Sequence, residues 1–188
     1  MKIGFQGDIF SNSEEACKKF IQKMNFNTAQ LIPLISSKKI VDALLKKEID
    51  YGVMALKNSI AGPVIETKEV LNNSIQLIET LDLSIHHCLF KKTADSDINF
   101  VASHIQALNQ TKETRKNILN NVIEIECLDT ALAAKMLSEG KYPNNYAVIC
   151  RENAGLFFKL FLMAKNIEDN KSNLTTFGLF KLKNYTSF

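Results

Sequence analysis

Small polar residues stand at the ends of several apolar runs: Ser13, Asn58-Ser59, Ser103-His104 and Asp129-Thr130, each just ahead of an amphipathic segment. In an open α/β sheet, strand carboxyl ends and helix amino ends gather along one edge, where backbone N–H groups and helix dipoles attract anions. Hydroxyl and amide donors at such positions suit a small carboxylate ligand, and they equally suit turns and helix caps. A planar, two-pronged grip on a carboxylate is normally an arginine task. The 23 basic residues include only two arginines, Arg115 and Arg151. His104 follows a strand and opens a helix, a place for an acid or base and equally for a packing or capping residue. His86 and His87 lie in an alternating stretch, where neighbours face opposite sides, so they do not read as one metal site. Cys17, Cys88, Cys127 and Cys150 are far apart, match no paired-cysteine or Cys/His metal pattern, and read as small core residues.

Positioning these residues takes an α/β fold. Of the 188 residues, 46% are hydrophobic and 23% charged, ordinary values for a globular chain. At this length roughly 70% of the unfolded surface can be buried, so the core needs no metal or disulfide. A formal charge of +3 is too small to mark a nucleic-acid or membrane-surface partner. No apolar run approaches the roughly 20 residues of a membrane span. The start, Met1-Lys2-Ile3-Gly4-Phe5, lacks a leader's apolar stretch, so a reduced, cytoplasmic location is expected.

Periodicity predicts strands over 2–7, 31–34, 51–56, 99–102, 122–128, 146–150 and 175–182, with a long β-rich stretch over 76–90. It predicts helices over 13–24, 37–47, 63–72, 105–119, 129–140 and 152–161. Ser13 is expected to cap the first helix and Asp129 the fifth.

Four stretches in order sharpen this reading: Lys57-Asn58-Ser59-Ile60-Ala61-Gly62, Ser103-His104-Ile105-Gln106-Ala107-Leu108, Asp129-Thr130-Ala131, and Asn173-Leu174-Thr175-Thr176-Phe177. Together they resemble the prephenate dehydratase catalytic domain, with its Glu-Asn-Ser turn, Ser-His-Pro-Gln-Ala-Leu and Asp-Thr-Ala helix starts and Thr-Arg-Phe motif. Phe5-Gln6-Gly7 and Ser13-Glu14-Glu15-Ala16 resemble its first strand and helix. The resemblance spans almost the whole chain. It implies two α/β lobes of the type II periplasmic-binding-protein kind with an interlobe cleft, residues 1–82 plus 167–188 forming one lobe and 83–166 the other. It implies conversion of prephenate to phenylpyruvate with loss of CO₂ and water, on the route to phenylalanine and without metal or organic cofactor. By the same resemblance Thr175 is the catalytic residue. Asn58, Ser59, Ser103, His104, Thr130, Thr176 and Phe177 are expected around the substrate.

Departures fall inside the motifs. Thr176 replaces the Arg of Thr-Arg-Phe, Lys57 the Glu of Glu-Asn-Ser, Ala55 a Pro and Ile105 the Pro of Ser-His-Pro, while Ile9, Phe10, Ser11 and Asn12 replace a glycine-bearing loop. Lys57 or Arg151 is a candidate to supply the lost cation; the alternative places Lys57 in solvent and Arg151 against a surface acid. A prephenate decarboxylase of a secondary pathway and a non-catalytic ligand-binding relative are the competing expectations. Prephenate and its amino counterpart arogenate are not separated by these residues. The resemblance also suggests a homodimer, for which the apolar run 156–163 could supply a face. By the resemblance, these 188 residues are expected to hold the catalytic domain without the phenylalanine-sensing regulatory domain common in the family, either as the whole protein or as its catalytic part.

Overall fold

The computed structural model describes residues 1–183. In chain order the elements are β1 (Lys2–Phe5), α1 (Asn12–Lys23), β2 (Gln30–Pro33), α2 (Ser37–Leu45), β3 (Tyr51–Asn58), β4 (Gly62–Pro63), α3 (Ile65–Val70) and β5 (Ile75–Ser84). They continue with β6 (Cys88–Lys91), β7 (Phe100–Ser103), α4 (Ile105–Gln110), α5 (Lys112–Ile118), β8 (Ile123–Glu126), α6 (Thr130–Ser138), β9 (Tyr146–Cys150), α7 (Glu152–Phe157), β10 (Phe161–Ala164) and β11 (Leu174–Leu182). The class is α/β, as expected, with one sheet in each of two compact units.

The first unit holds Met1–Ile85 and, among the described residues, 173–183. Its sheet runs β2-β1-β3-β11-β5, with β4 paired to β3 off that path. β1 is parallel to β2 and β3, whereas β11 is antiparallel to β3 and β5. Both faces are covered, so its central strands alternate between two cores. Val53, Phe177 and Leu179 pack with Phe5 and with Ala16, Cys17 and Phe20 of α1. Met54 and Phe180 turn the other way, into Ile40, Val41 and Leu44 of α2.

The second unit holds residues 86–172, with sheet order β10-β6-β9-β7-β8. β7 is parallel to β8 and β9, and β6 is antiparallel to β9 and β10. Leu89, Val101, Leu108, Ala147 and Ile149 form its core. The four cysteines are free and buried, and Cys88 stands opposite Cys150 on neighbouring strands.

The structure revises several expectations. The chain passes between units at Ile85 and Asn173 rather than at 82 and 166. β5 stays paired with β11 through Ser84, while Ile167 is part of the second core. Residues 184–188 of the expected first lobe lie outside the described residues. The cap of α1 is Ser11, not Ser13: its Oγ accepts from Glu14 N at 3.2 Å, while the Glu14 carboxylate accepts from Phe10 N at 2.5 Å. This is close to a capping box, displaced two residues from the expected start. In the altered loop before it, Phe10 takes a left-handed backbone with φ 66°.

Helix 105–119 is two helices that meet at Thr111, whose hydroxyl donates to the Ala107 carbonyl at 2.7 Å. Asp169 then caps the second piece through Glu113 N and Thr114 N. Helix 152–161 ends at Phe157, and the apolar run continues as the edge strand β10. Pro63 belongs to β4, not to a helix start. His86 and His87 sit between β5 and β6 rather than inside one strand. Among the described residues, no helix is long and apolar enough to cross a membrane.

Candidate active site

In the first unit, β3 and β11 bring Asn58 opposite Thr175 and Lys57 opposite Thr176. A register shift follows directly, so that Phe177 faces Ala55. A bulge of this kind interrupts regular pairing and re-aims side chains. The Asn58 side chain is fixed at both ends. Its Oδ1 accepts from Ile60 N at 3.0 Å and Ala61 N at 2.9 Å, closing the turn after β3. Its Nδ2 therefore faces inward, donating to Thr175 Oγ1 at 2.9 Å, Asn173 Oδ1 at 2.8 Å and, more distantly, the Leu174 carbonyl at 3.2 Å. Ser59 locks the same corner: its N–H donates to the Leu174 carbonyl at 2.8 Å, and its Oγ accepts from Leu174 N at 2.9 Å.

Thr175 is 8% exposed, at the edge of solvent reach. Because its oxygen accepts the Asn58 N–H, its own proton is directed to an acceptor elsewhere. An accepted bond also polarises the hydroxyl and strengthens it as a donor. This is a neutral, oriented hydrogen-bond donor.

The motif's other residues serve differently. Thr176 lies on the strand face opposite Thr175 and donates to Asp82 Oδ1 of β5 at 2.5 Å. Lys57, its partner on β3, is exposed. The exchange of Arg for Thr and Glu for Lys is thus one cross-strand pair, with Asp82 as third neighbour. Phe177, expected beside the ligand, is 2% exposed and belongs to the core.

In the second unit, Ser103-His104, Asp129-Thr130 and Arg151 all follow the carboxyl ends of three neighbouring parallel strands, β7, β8 and β9. Ser103 is fully buried and donates to the Ile149 carbonyl at 2.7 Å, so it ties strands together rather than offering a donor outward. His104 is the amino cap of α4, its Nδ1 accepting from Gln106 N at 3.2 Å. Asp129 caps α6, as expected, through Ala131 N and Leu132 N, with Thr130 half-buried beside it. Arg151 is half-buried at the start of α7. The other arginine is a staple: Arg115 is 3% exposed, bonded to Thr111 Oγ1, the Leu108 carbonyl and Glu124.

The helix amino ends are less open to a foreign anion than the sequence suggests. Glu14 sits at α1, Asp129 at α6, and Glu66 at α2, where its carboxylate accepts from Ser37 N at 2.8 Å. The chain's own acids occupy these positive ends. A ligand carboxylate must therefore rely on neutral donors or on Lys57 or Arg151.

His87 and Glu168 form a separate buried cluster: Glu168 accepts from His87 N at 3.0 Å and lies 2.9 Å from His86 Nδ1, while His87 Nε2 meets Gln110 Oε1 at 3.0 Å. A cavity of about 370 Å³ in the same unit is lined by Lys112, Arg115, Lys116, Asn120 and Glu124 and contains none of the expected site residues. No group of three or more His, Cys, Asp or Glu among the described residues could hold a metal ion. The expected residues did not include Asn173 or Asp82, the hydrogen-bond partners of Asn58 and Thr176. Their signal in the sequence was only their place beside Thr175 in the motif and in the alternating stretch.

A family profile described as Prephenate dehydratase matches residues 3–184. A prephenate dehydratase of Methanocaldococcus jannaschii is 32% identical over 170 residues, covering 89% of this chain and 60% of that protein. Arogenate dehydratase/prephenate dehydratase 1 of Arabidopsis thaliana, a chloroplastic protein, is 28% identical over 181 residues, covering 94% of this chain and 44% of the relative. The chain thus spans about half the length of such relatives. Among solved structures, prephenate dehydratase from Arthrobacter aurescens in complex with L-Phe has the same fold, with a TM-score of 0.86 at 22% identity over 98% of this chain and 61% of that one. Since the profile runs unbroken from β1 to β11 and so takes in the Asn58–Thr175 corner, the chain belongs to the prephenate dehydratase family.

Proposed function

We propose that the chain dehydrates and decarboxylates prephenate or its amino counterpart arogenate. The observation that carries this reading is the Thr175 hydroxyl held by the Asn58 amide. In that reaction the electron pair of the bond between ring and carboxylate moves into the ring as CO₂ departs. The ring C–O bond breaks, and the hydroxide leaves as water after taking a proton. A hydroxyl is a weak acid, so Thr175 acts by hydrogen-bonding the departing oxygen while charge builds on it. Asn58 is the support for that donor. Arg151, His104 and Thr130 are the remaining candidates for holding substrate carboxylates, and Lys57 is a further cation.

The test supplies prephenate and arogenate separately to the purified protein at neutral pH and resolves products by mass and ultraviolet absorbance. Phenylpyruvate or phenylalanine is expected to form faster than in buffer. Thr175→Ala should slow it by about a hundredfold or more. The Thr176–Asp82 bond favours one second reading, because a neutral hydroxyl tied to an acid stands where the family has a cation. That reading is decarboxylation with the hydroxyl retained, and it predicts a product that keeps its oxygen. Binding without turnover would instead mark a ligand-binding relative. The same proposal takes the protein to be a cytoplasmic homodimer. Leu156, Phe157 and Phe161 are 55%, 61% and 46% exposed and offer apolar surface for it, which sedimentation would test.

A further inference from the structure

We infer that Asn173 is a positioning residue for the proposed reaction, holding the Asn58 amide so that one of its protons stays on Thr175. This rests on the dehydratase reading for its catalytic consequence, though not for its geometry.

Asn173 is 1% exposed. Its backbone carbonyl accepts from Ile85 N at 2.9 Å, which pins it where the chain re-enters the first unit. Its side-chain Oδ1 accepts from Asn58 Nδ2 at 2.8 Å. An amide NH₂ has two protons, set in the plane of the group and pointing apart. Here three acceptors compete for them: Asn173 Oδ1, Thr175 Oγ1 and, at the longest distance, the Leu174 carbonyl. The two short bonds take one proton each. The carbonyl end of Asn58 is already committed to Ile60 N and Ala61 N.

The Asn58 plane is thus held at all four of its polar corners, and Asn173 holds one of them. Remove the Asn173 acceptor, and that proton of Asn58 is left with only the longer bond to the Leu174 carbonyl within reach. The amide then gains by turning toward the Leu174 carbonyl, which draws the other proton off Thr175. The Thr175 hydroxyl is no longer obliged to point outward, because it can itself donate back to its neighbours. The position of the donor changes, while substrate contacts made by other residues do not. The expected signature is a loss in turnover rather than in binding.

Three proteins separate this role from a merely structural one: the parent, Asn173→Leu and Asn173→Asp. Aspartate keeps the oxygen that faces Asn58, and leucine removes it at similar size. With whichever of prephenate or arogenate the parent consumes, Asn173→Leu should lower kcat by about ten- to a hundredfold, with KM within about twofold. Asn173→Asp should stay within about threefold of the parent. Full kcat in Asn173→Leu, or an equal loss in both variants, overturns the inference.

A second readout needs no turnover. In nuclear magnetic resonance spectra the Asn58 side-chain amide protons should exchange slowly with solvent in the parent and in Asn173→Asp, and faster in Asn173→Leu. Fast exchange in the parent, or unchanged protection in Asn173→Leu, overturns the positioning geometry directly. If the parent consumes neither substrate, the dehydratase reading falls and the amide exchange alone decides Asn173. If Asn173→Leu does not fold, Asn173→Ser, whose shorter side chain cannot span the same distance, replaces it in both measurements.

Discussion

The Thr175 hydroxyl gains its direction from one accepted bond, and each candidate cation is ranked by its place on its own sheet. Lys57 is one residue from Asn58 on β3, but strand alternation places it on the face shared with Thr176 and Asp82. Arg151 instead stands with His104 and Thr130 at the carboxyl ends of neighbouring strands. We therefore expect Arg151→Ala to raise KM for the consumed substrate by about tenfold or more, the loss of a charge-assisted hydrogen bond. Lys57→Ala should leave KM within about twofold. Initial-rate measurements on both variants check this, and a larger effect at Lys57 would give the cationic role to that side chain. Asn58, Ser59 and Thr175 were legible in the sequence because they occupy ordered motif positions. Phe177 and Ser103 sit in equally recognisable motifs, yet burial assigns them to the frame. Motif membership does not distinguish a residue that touches ligand from one that supports its neighbour. Asn173 was hidden for the opposite reason: its meaning depends on Asn58, which only the pairing of β3 with β11 brings near.

Element boundaries failed where a distant group decides them. The break at Thr111 is invisible locally, since the carboxylate that caps the following helix is Asp169, far along the chain. The apolar run after Phe157 reads as helix from its composition, but a free edge on β6 recruits it as β10. The cap at Ser11 was overlooked because Ser13 also precedes acidic residues. By contrast, β9 and the Asp129 cap follow from local signals alone, and the structure keeps both. α7 supplies a sharp packing test. A Cβ added at Gly155 would lie 2.3 Å from the ring of Phe90, which is fully buried in β6. Gly155→Ala should therefore destabilise the protein by about 1–3 kcal/mol, overriding alanine's better helix propensity. Thermal denaturation followed by circular dichroism would register this as a fall of several degrees. An unchanged or raised melting temperature would mean that Phe90 can yield.

For the molecule as a whole, acid should act first through the second unit. Burial holds the His87 imidazole below its ordinary value of 6.5, against the opposing pulls of Gln110 and Glu168. The folded protein then binds this proton more weakly than the unfolded chain does. Its contribution to stability is complete above about pH 6.5 and is lost as pH falls through the lowered folded value. Burial also pushes Glu168 upward, but the His87 N–H and the His86 side chain outweigh it and hold the carboxyl below its ordinary value of 4.5. Its stabilisation therefore persists to lower pH before being lost. Melting temperatures at pH 7.5, 6.5 and 5.5 should decline in the parent and decline less in His87→Gln, which can still donate to Gln110; equal slopes would remove His87 from the account. A different consequence follows from the place of β11, which lies between β3 and β5 although it is the last of the described strands in chain order. On the ribosome, the second unit can close as a continuous stretch while the first still waits for its centre, with β5 lacking its only sheet neighbour among the described strands. The unit that holds the earliest of these strands therefore closes after the other, and the corner that joins Asn58 to Thr175 forms only when β11 arrives.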